Sequence, residues 1–453
     1  MRLTWIHPED LIGHELRQAR QDGRDPSAVE ERWHAAGGHD APPLAGASPE
    51  PAPPALRRLA EELLDELAAQ PSPLAADEPT DIDAIVAACP DWPHTPIAAP
   101  GPDLHDRVLG AWTGRAAGCV LGKPVEKIPR AGIRAIAEAT GTWPVRGWFT
   151  ARGLPDDVAR RWPWNRRSAP TSLAENIDGT PEDDDLNFPM LALAMLERHG
   201  PDFTTGDVAQ AWLDELPAGR IFTAERVALR NLLLGLVPPD TATHRNPFRE
   251  WIGAQIRTDV YGWTNPGDPG RAARLAHRDA VLSHTANGVY GAMFAAALAA
   301  ASLTAAGPEE ALAAALRVVP PNSRLAAAVR HAAETARTEP DFERVLDALY
   351  ERHGDLHWVH SVNNAAAVAA ALVHGAGDFT SSITAVVTAG WDTDSDGATV
   401  GGTVGALIGA PAIPTYWTTP LRNRIASTLT GFDDITFDAL TTRTLALVPE
   451  SGR

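Results

Sequence analysis

Apolar residues recur every three or four positions along most of the chain, which is the periodicity of helices. In the first hundred residues this spacing appears in PEDLIGHELRQARQDG (residues 8–23) and PALRRLAEELLDELAAQ (54–70). Between them, the proline-rich stretch APPLAGASPEPAPP (41–54) is typical of an extended linker. We therefore expect residues 1–100 to form a helical, proline-rich arm or cap on the main body.

From residue 103 onward the helical periodicity is nearly continuous, whereas alternating runs of β-branched residues are scarce. The pattern predicts an all-α fold, with a compact multi-helix body over residues 101–445. An irregular stretch at 142–176 carries four tryptophans among arginines and prolines, and we expect it to be a long ordered loop with a function. The clearest predicted helices cover residues 103–122, 187–200, 205–216, 288–307, 308–320, 341–354, 363–377 and 383–391.

Two of the apolar segments carry glycine at every fourth position. The first set is Gly110, Gly114, Gly118 and Gly122, and the second is Gly397, Gly401, Gly405 and Gly409. Glycine costs about 1 kcal/mol relative to alanine inside a helix, so a repeated ladder needs a compensating gain. Residues four apart share one helix face, and a face of glycines lets another backbone approach closely. We expect two buried central helices that pack through these faces.

Composition narrows the class of protein. The chain has 453 residues and a net charge of -19, which disfavours a general affinity for nucleic acid. Two cysteines are too few for a disulfide framework, no apolar run is long enough to cross a bilayer, and the first residues do not resemble a signal peptide. These features predict a cytoplasmic protein without a membrane segment. Arginine greatly outnumbers lysine, which favours a GC-rich, bacterial genome.

Acidic residues cluster twice, and the second cluster follows the first by about 210 residues. Asp392, Asp394 and Asp396 precede a glycine, as in a calcium loop, but Thr403 stands where such a loop needs its last glutamate. Near the middle, Glu182 begins the run EDDD after Thr-Pro, which could simply start a helix with a capping box. Four consecutive acids exceed what a cap needs. Two acidic clusters at helix starts therefore favour a shared site for hard cations.

Together with the early segment GRAAGCVLGKPVE (114–126), the stretch GWDTDS (390–395) and the central acids resemble the ADP-ribosylglycohydrolase family, and the likeness covers about residues 103–440. The stretches at 252–269, 278–291 and 359–379 are similar to the larger bacterial members. The resemblance implies an all-helical fold, a binuclear magnesium (or manganese) centre, and hydrolysis of the glycosidic bond of an ADP-ribosyl group. Here Glu182 and Asp185 replace threonines, Cys119 replaces an aspartate and Trp391 replaces a glycine.

The resemblance also implies roles for individual residues. Two Mg²⁺ ions, or Mn²⁺, would be held by one set of oxygen ligands, and one of three acids would transfer protons. A substrate of this kind needs donors for its pyrophosphate, for which the loop at Gly122 and Lys123 and polar residues at the starts of two helices are candidates. It also needs an aromatic slot for adenine, for which Trp148, Tyr261 and Trp263 are candidates. The metal ligands are Glu182, Asp183, Asp184, Asp392, Asp394 and Ser395; the catalytic acids are Glu126, Asp183 and Asp184; the remaining substrate contacts are His284, Asn287, Ser361, Asn363, Asn364 and Trp148.

Three functions stay open at the level of the sequence. The first is hydrolysis of an ADP-ribosyl or related ribosyl N- or O-glycosidic bond on a modified partner. The second is the same reaction on a small molecule derived from NAD or a nucleotide, within a biosynthetic pathway. The third is a non-catalytic protein that binds ADP-ribose or has a structural role, which the retained acids disfavour. The expected partner is an ADP-ribosylated substrate or an ADP-ribose-like small molecule.

Overall fold

A computed structural model describes residues 2–40 and 46–449, and within these ranges the secondary structure is helical. The described residues contain no β-strand; only isolated bridges join Thr180 to Ile425, Trp251 to His360 and Ile425 to Ile435. The all-α prediction is therefore confirmed. None of the described helices combines the length and the apolar character that a membrane span requires.

The first hundred residues contribute four helices, and part of the predicted linker between them, residues 41–45, lies outside the described residues. Buried leucines of α1 and α3 pack against each other and belong to the same apolar core as the rest of the chain. The division at residue 100 stays a prediction. The four helices are α1 (Pro8–Gln21), α2 (Ser27–Ala35), α3 (Pro54–Ala68) and α4 (Ile82–Ala88).

The main body follows, with its helices joined by turns, by short 3₁₀ segments and by a few longer irregular stretches. The irregular stretch at 142–176 contains only two short helices, α7 and α8. The helices of the body are α5 (Leu104–Gly122), α6 (Arg130–Ala139), α7 (Asp156–Arg161), α8 (Ala169–Ser172), α9 (Asp184–His199), α10 (Thr205–Glu215), α11 (Thr223–Leu233), α12 (Asp240–Thr243), α13 (Asp259–Trp263), α14 (Pro269–Ala280), α15 (Ala286–Ser302), α16 (Pro308–Leu316), α17 (Arg324–Thr338), α18 (Phe342–His353), α19 (Ser361–Gly375), α20 (Phe379–Thr388), α21 (Thr393–Ile408), α22 (Thr415–Thr418) and α23 (Phe437–Ala446).

The two glycine ladders pack directly against each other at the centre of the body. A Cβ placed on Gly114 would overlap the carbonyl oxygen of Gly401, and a Cβ on Gly401 would overlap that of Gly114. The same mutual contact joins Gly118 to Gly397 and Gly110 to Gly405. The backbones of α5 and α21 therefore touch along three rungs, which confirms the predicted close approach.

The ends of the two ladders differ from the prediction. Gly409 is not a rung, because it ends α21 with a positive φ of 77° and a Cβ there would make only ordinary contacts. Gly122 instead meets the carbonyl oxygen of Thr393, at the first residue of α21. The Thr393 hydroxyl donates a hydrogen bond of 2.9 Å to the Gly122 carbonyl, so the end of α5 is fastened to the start of α21.

A network of buried ion pairs joins the first helix to the body. Arg249 donates to Glu15 at 2.7 Å and to Asp22 at 2.6 Å, and Arg24 pairs with the same two acids. Burial opposes the charge on Arg249, but the two carboxylates outweigh it and raise the pKa of the guanidinium. Removing one partner of such a buried network leaves an uncompensated charge, so these contacts set the position of α1.

Two neighbouring glycines of α21 test the close packing of the central helices. Replacing Gly401 by alanine forces a methyl group into the backbone of α5, and we expect a loss of about 2 kcal/mol or more in the free energy of unfolding. Gly402→Ala is the matched control, because its Cβ would lie 3.4 Å from the Cβ of Arg115 and alanine favours helices. If the two variants were equally stable in denaturant unfolding, the close backbone contact between α5 and α21 would be contradicted.

Candidate active site

A cavity of about 670 Å³ opens where three structural elements meet. These elements are the start of α9, the start of α21, and the 3₁₀ turn Lys123–Val125 that follows α5. Since α5 and α21 touch along their glycines, the turn after α5 is held beside the first residues of α21. The acidic clusters, which are about 210 residues apart in sequence, face this one cavity.

The central acidic cluster lies at the start of α9. The helix begins at Asp184, and the Asp183 carboxylate caps it by accepting a 3.0 Å hydrogen bond from the Asp185 amide. Thr180 is therefore not the cap, because it takes part in a bridge with Ile425. The helix therefore begins three residues before the predicted start at residue 187, and Pro189 lies inside it. Asp183 and Asp184 both line the cavity.

The second acidic cluster occupies the first turn of α21. The backbone amide of Asp392 donates a 3.1 Å hydrogen bond to the side-chain oxygen of Asn364, which fixes the entry to the helix. Ser395 joins the two clusters, since its hydroxyl donates to Asp185 at 3.2 Å. Asp392, Asp394 and Ser395 line the cavity with the acids of α9.

The turn after α5 places a lysine and a glutamate against these acids. The Lys123 ammonium group, which is buried, is in direct contact with the Asp183 carboxylate. Glu126 accepts hydrogen bonds on both of its oxygens, one from the Asn165 amide and one at 2.9 Å from Lys127. Asn165 also donates its backbone N–H to the Pro124 carbonyl at 3.0 Å, so the 142–176 stretch buttresses this turn.

The crowded carboxylates raise one another's pKa values. Burial and then the charges of Asp183 and Asp394 hold the pKa of Asp184 well above its usual range. For Asp394, burial and the nearby Glu126 raise the pKa to about 7. Burial and the charge of Asp394 also raise the pKa of Asp392. Such a cluster is energetically unfavourable unless cations balance its negative charge. The buried Lys123 supplies one positive charge against several carboxylates.

The donor atoms fit a hard divalent cation. Carboxylate oxygens and the Ser395 hydroxyl are the ligands that Mg²⁺ and Mn²⁺ prefer. Cys119, whose sulfur lies within 4.8 Å of oxygens of Asp183 and Asp185, is a poor ligand because burial raises its pKa and keeps the thiol neutral. Glu182 lines the cavity, but its oxygens already accept hydrogen bonds from Arg220 (2.8 Å) and Asn187 (2.9 Å).

The remaining predicted substrate contacts lie outside the cavity wall. Gly122 packs on α21, and Trp148 packs on Trp417 with its indole N–H donated to the Tyr416 carbonyl. His284 is fully buried, and its Nδ1 lies 2.8 Å from the Ser283 hydroxyl. The other four residues are buried and make hydrogen bonds within the protein. The Asn287 side-chain amide donates to the Glu250 carboxylate, and the Ser361 backbone amide donates to the Glu250 carbonyl. The Asn363 side-chain amide donates to the His357 carbonyl, and the Asn364 side-chain oxygen accepts from the Asp392 backbone amide.

Several cavity residues were missed by the sequence analysis. Asp185 was treated only as a departure from the family pattern, yet it links the clusters. The irregular stretch contributes residues 165–168 and Thr171 rather than Trp148. Also in the cavity wall, Trp251 stacks on His357 with ring centres 4.0 Å apart, and Trp5 packs edge-on against Trp251. Only the unusual composition of residues 142–176 could have drawn attention to this region.

Comparisons with known proteins identify the family of this chain. A sequence model of the ADP-ribosylglycohydrolase family matches residues 100–446. Among solved structures, the chain is similar to one titled "ADP-ribosylglycohydrolase-related protein complex", with 24% identity, a TM-score of 0.46, and coverage of 77% of this chain and 99% of that one. No curated protein matches the sequence. Because the family match spans most of the chain, this protein belongs to the ADP-ribosylglycohydrolase family.

Proposed function

We propose that the protein is a magnesium-dependent hydrolase that cleaves the glycosidic bond of an ADP-ribosyl or related ribosyl compound, at nitrogen or oxygen. Family membership supports glycohydrolase chemistry. The observation that carries the proposal is that acids from the starts of α9 and α21 meet in one cavity. A cavity of about 670 Å³ is in the range that holds a nucleotide-sized ligand.

Two divalent cations fit the proposal, held by Asp183 and Asp184 on one side and by Asp392, Asp394 and Ser395 on the other, with Glu182 at the rim. When bound, such ions orient the ribose hydroxyls and acidify a water molecule. The protein's own contribution is a rigid frame: the acids sit on the first turns of two helices whose N-terminal dipoles partly offset their charge. Lys123 holds Asp183 in place.

Cleavage at the anomeric carbon passes through a transition state with positive charge on the sugar ring, which surrounding carboxylates stabilise. Glu126, Asp183 and Asp184 are the candidates for moving the proton between water and the leaving group. Asn165 and Lys127 fix Glu126 at the cavity wall, and this suits a residue that must act in one orientation.

The walls of the cavity favour a small-molecule substrate over a modified protein. Thr4 and Trp5 of the N-terminal segment, together with residues 165–168, form part of the wall around the acids. A protein side chain would have to pass between these walls to reach the acids. Within the proposal we therefore prefer a compound derived from NAD or a nucleotide to a modified protein as the substrate, with the same reaction.

Asp394→Asn tests the metal centre. We expect the wild type to gain about 2.7 kcal/mol in stability at Mg²⁺ concentrations about 100 times the Kd, and the variant to lose this gain. Turnover should fall about 100-fold or more. Stability without metal should stay equal or rise, because one of several repelling carboxylates is removed. Thermal unfolding with Mg²⁺ and with EDTA measures each effect.

Asp396→Asn is the matched control for that variant. Asp396 is buried on the same helical turn but does not line the cavity, so its replacement should keep the response to Mg²⁺. If the unfolding temperature of the wild type does not change when Mg²⁺ or Mn²⁺ is added, the metal centre is refuted and the non-catalytic alternative remains. Loss of the response in both variants would place the ions elsewhere.

Substrate size is tested by comparing free and protein-linked compounds. In the presence of Mg²⁺, we expect release of ADP-ribose or ribose from small N- and O-glycosides, and at least about tenfold slower release from intact ADP-ribosylated proteins. Chromatography of the products measures both rates. Equal rates would contradict the enclosing role of Thr4 and Trp5, and no release from any substrate would contradict the hydrolase itself.

A further inference from the structure

Lys123 places a positive charge among the acids of the cavity. Its side chain is only 8% exposed, and its ammonium group contacts the Asp183 carboxylate and lies 3.3 Å from the Glu182 backbone carbonyl. The chain has only two lysines, Lys123 and Lys127, among many arginines. A lysine ammonium is a compact point charge, whereas the guanidinium of arginine is a planar fork. Of the two basic side chains, lysine therefore has the charge distribution closer to that of a metal ion.

Both oxygens of the Asp183 carboxylate already have partners. Oδ1 accepts the 3.0 Å hydrogen bond from the Asp185 amide that caps α9, and Oδ2 contacts the Lys123 ammonium group. A metal ion at Asp183 has to displace one of these partners or share an oxygen with it. Because loss of the cap would destabilise the start of α9, the lysine contact is the one that can give way.

The other carboxylates of the proposed centre have no such counter-ion. Among the described residues, Asp184, Asp392 and Asp394 form no ion pair, although all three line the cavity. An ion that binds at the start of α21 therefore displaces no cation of the protein. The two halves of the centre thus differ in what an incoming ion must displace.

We propose that Lys123 is a built-in counter-ion that competes with one ion of the metal centre. The first divalent cation binds at the start of α21. The second binds more weakly, because it must displace the Lys123 ammonium group from Asp183. The displaced group can keep its contact with the Glu182 carbonyl. This inference rests on the proposed function, because that function supplies the centre with two ions.

The counter-ion accounts for the stability of the acidic cluster without metal. A buried carboxylate that loses its counter-charge is strongly unfavourable, so Lys123 stabilises the metal-free protein. The weaker binding step also sets the Mg²⁺ concentration at which both ions are present. Turnover that needs both ions therefore follows this step, and the protein responds to the supply of free Mg²⁺.

Calorimetric titration of the metal-free protein with Mn²⁺ tests the competition. We expect the wild type to bind one ion tightly and a second ion at least about tenfold more weakly. Lys123→Met should bind the second ion at least about tenfold more tightly than the wild type does. Two neighbouring ions also repel each other, so the comparison between the variants decides, rather than the unequal steps of the wild type.

Lys127→Met is the matched control, because it removes the same charge from the same cavity without changing a contact of Asp183. The Lys127 side chain is 46% exposed and pairs with Glu126, which is not a proposed metal ligand. Solvent therefore screens its effect on the ions, and we expect wild-type affinities. An unchanged second affinity in Lys123→Met, or an equal gain in Lys127→Met, would overturn the competition.

Thermal unfolding in EDTA gives a second measure of the counter-ion. Lys123→Met should unfold about 5 °C below Lys127→Met, and saturating Mn²⁺ should remove most of this difference. Equal unfolding temperatures in EDTA would contradict the counter-ion. If Lys123→Met does not fold without metal, Lys123→Gln takes its place in both measurements, since it keeps a hydrogen-bond donor without the charge.

The outcomes separate this inference from the proposed function. If the wild type and Lys123→Met bind two ions with the same affinities, the competition is overturned and the metal centre stands. If Lys123→Met binds Mn²⁺ and the wild type does not, the counter-ion is supported and the metal dependence of the wild type is refuted. If neither protein binds Mn²⁺, both proposals are refuted.

Discussion

The contact between the backbones of α5 and α21 is the constraint on which the candidate site depends. Three pairs of glycines remove every side chain from the contact, and the Thr393 hydroxyl fastens the last turn of α5 to the first residue of α21. Any larger residue would separate the helices. Lys123 and Glu126 would then move away from Asp392 and Asp394, because α5 sets the position of the turn that carries them.

The cavity concentrates negative charge. Carboxylates from α9 and α21 crowd together around the buried Lys123, and burial and the neighbouring acids raise the pKa of Asp184. Such a cluster is unfavourable in a medium that screens charge poorly. Divalent cations held by these acids would relieve the repulsion, which is the physical basis of the proposed metal centre.

The N-terminal helices take part in this arrangement through ion pairs. Arg24 and Arg249 bind Glu15 and Asp22 of the first helical region, and Arg249 is followed by Glu250 and then by Trp251 of the cavity wall. Breaking this network would therefore loosen a wall of the cavity as well as the arm. The same segment brings Thr4 to Arg226. The contacts that pack the arm against the body therefore also shape the site.

Local sequence was sufficient for the helical class, for the glycine faces, and for the acids that line the cavity, because periodicity, propensity and charge are properties of neighbouring residues. The predicted helices did not include α6, α11, α14, α17 and α23, although α6 and α14 have clearly amphipathic sequences. Nor was the position of Trp148 predicted, which the fold buries against Trp417. Local sequence could not show that Asn364 holds Asp392, or that Thr4 meets Arg226 across 222 positions. Those pairings depend on how distant helices pack, and only the tertiary structure decides them.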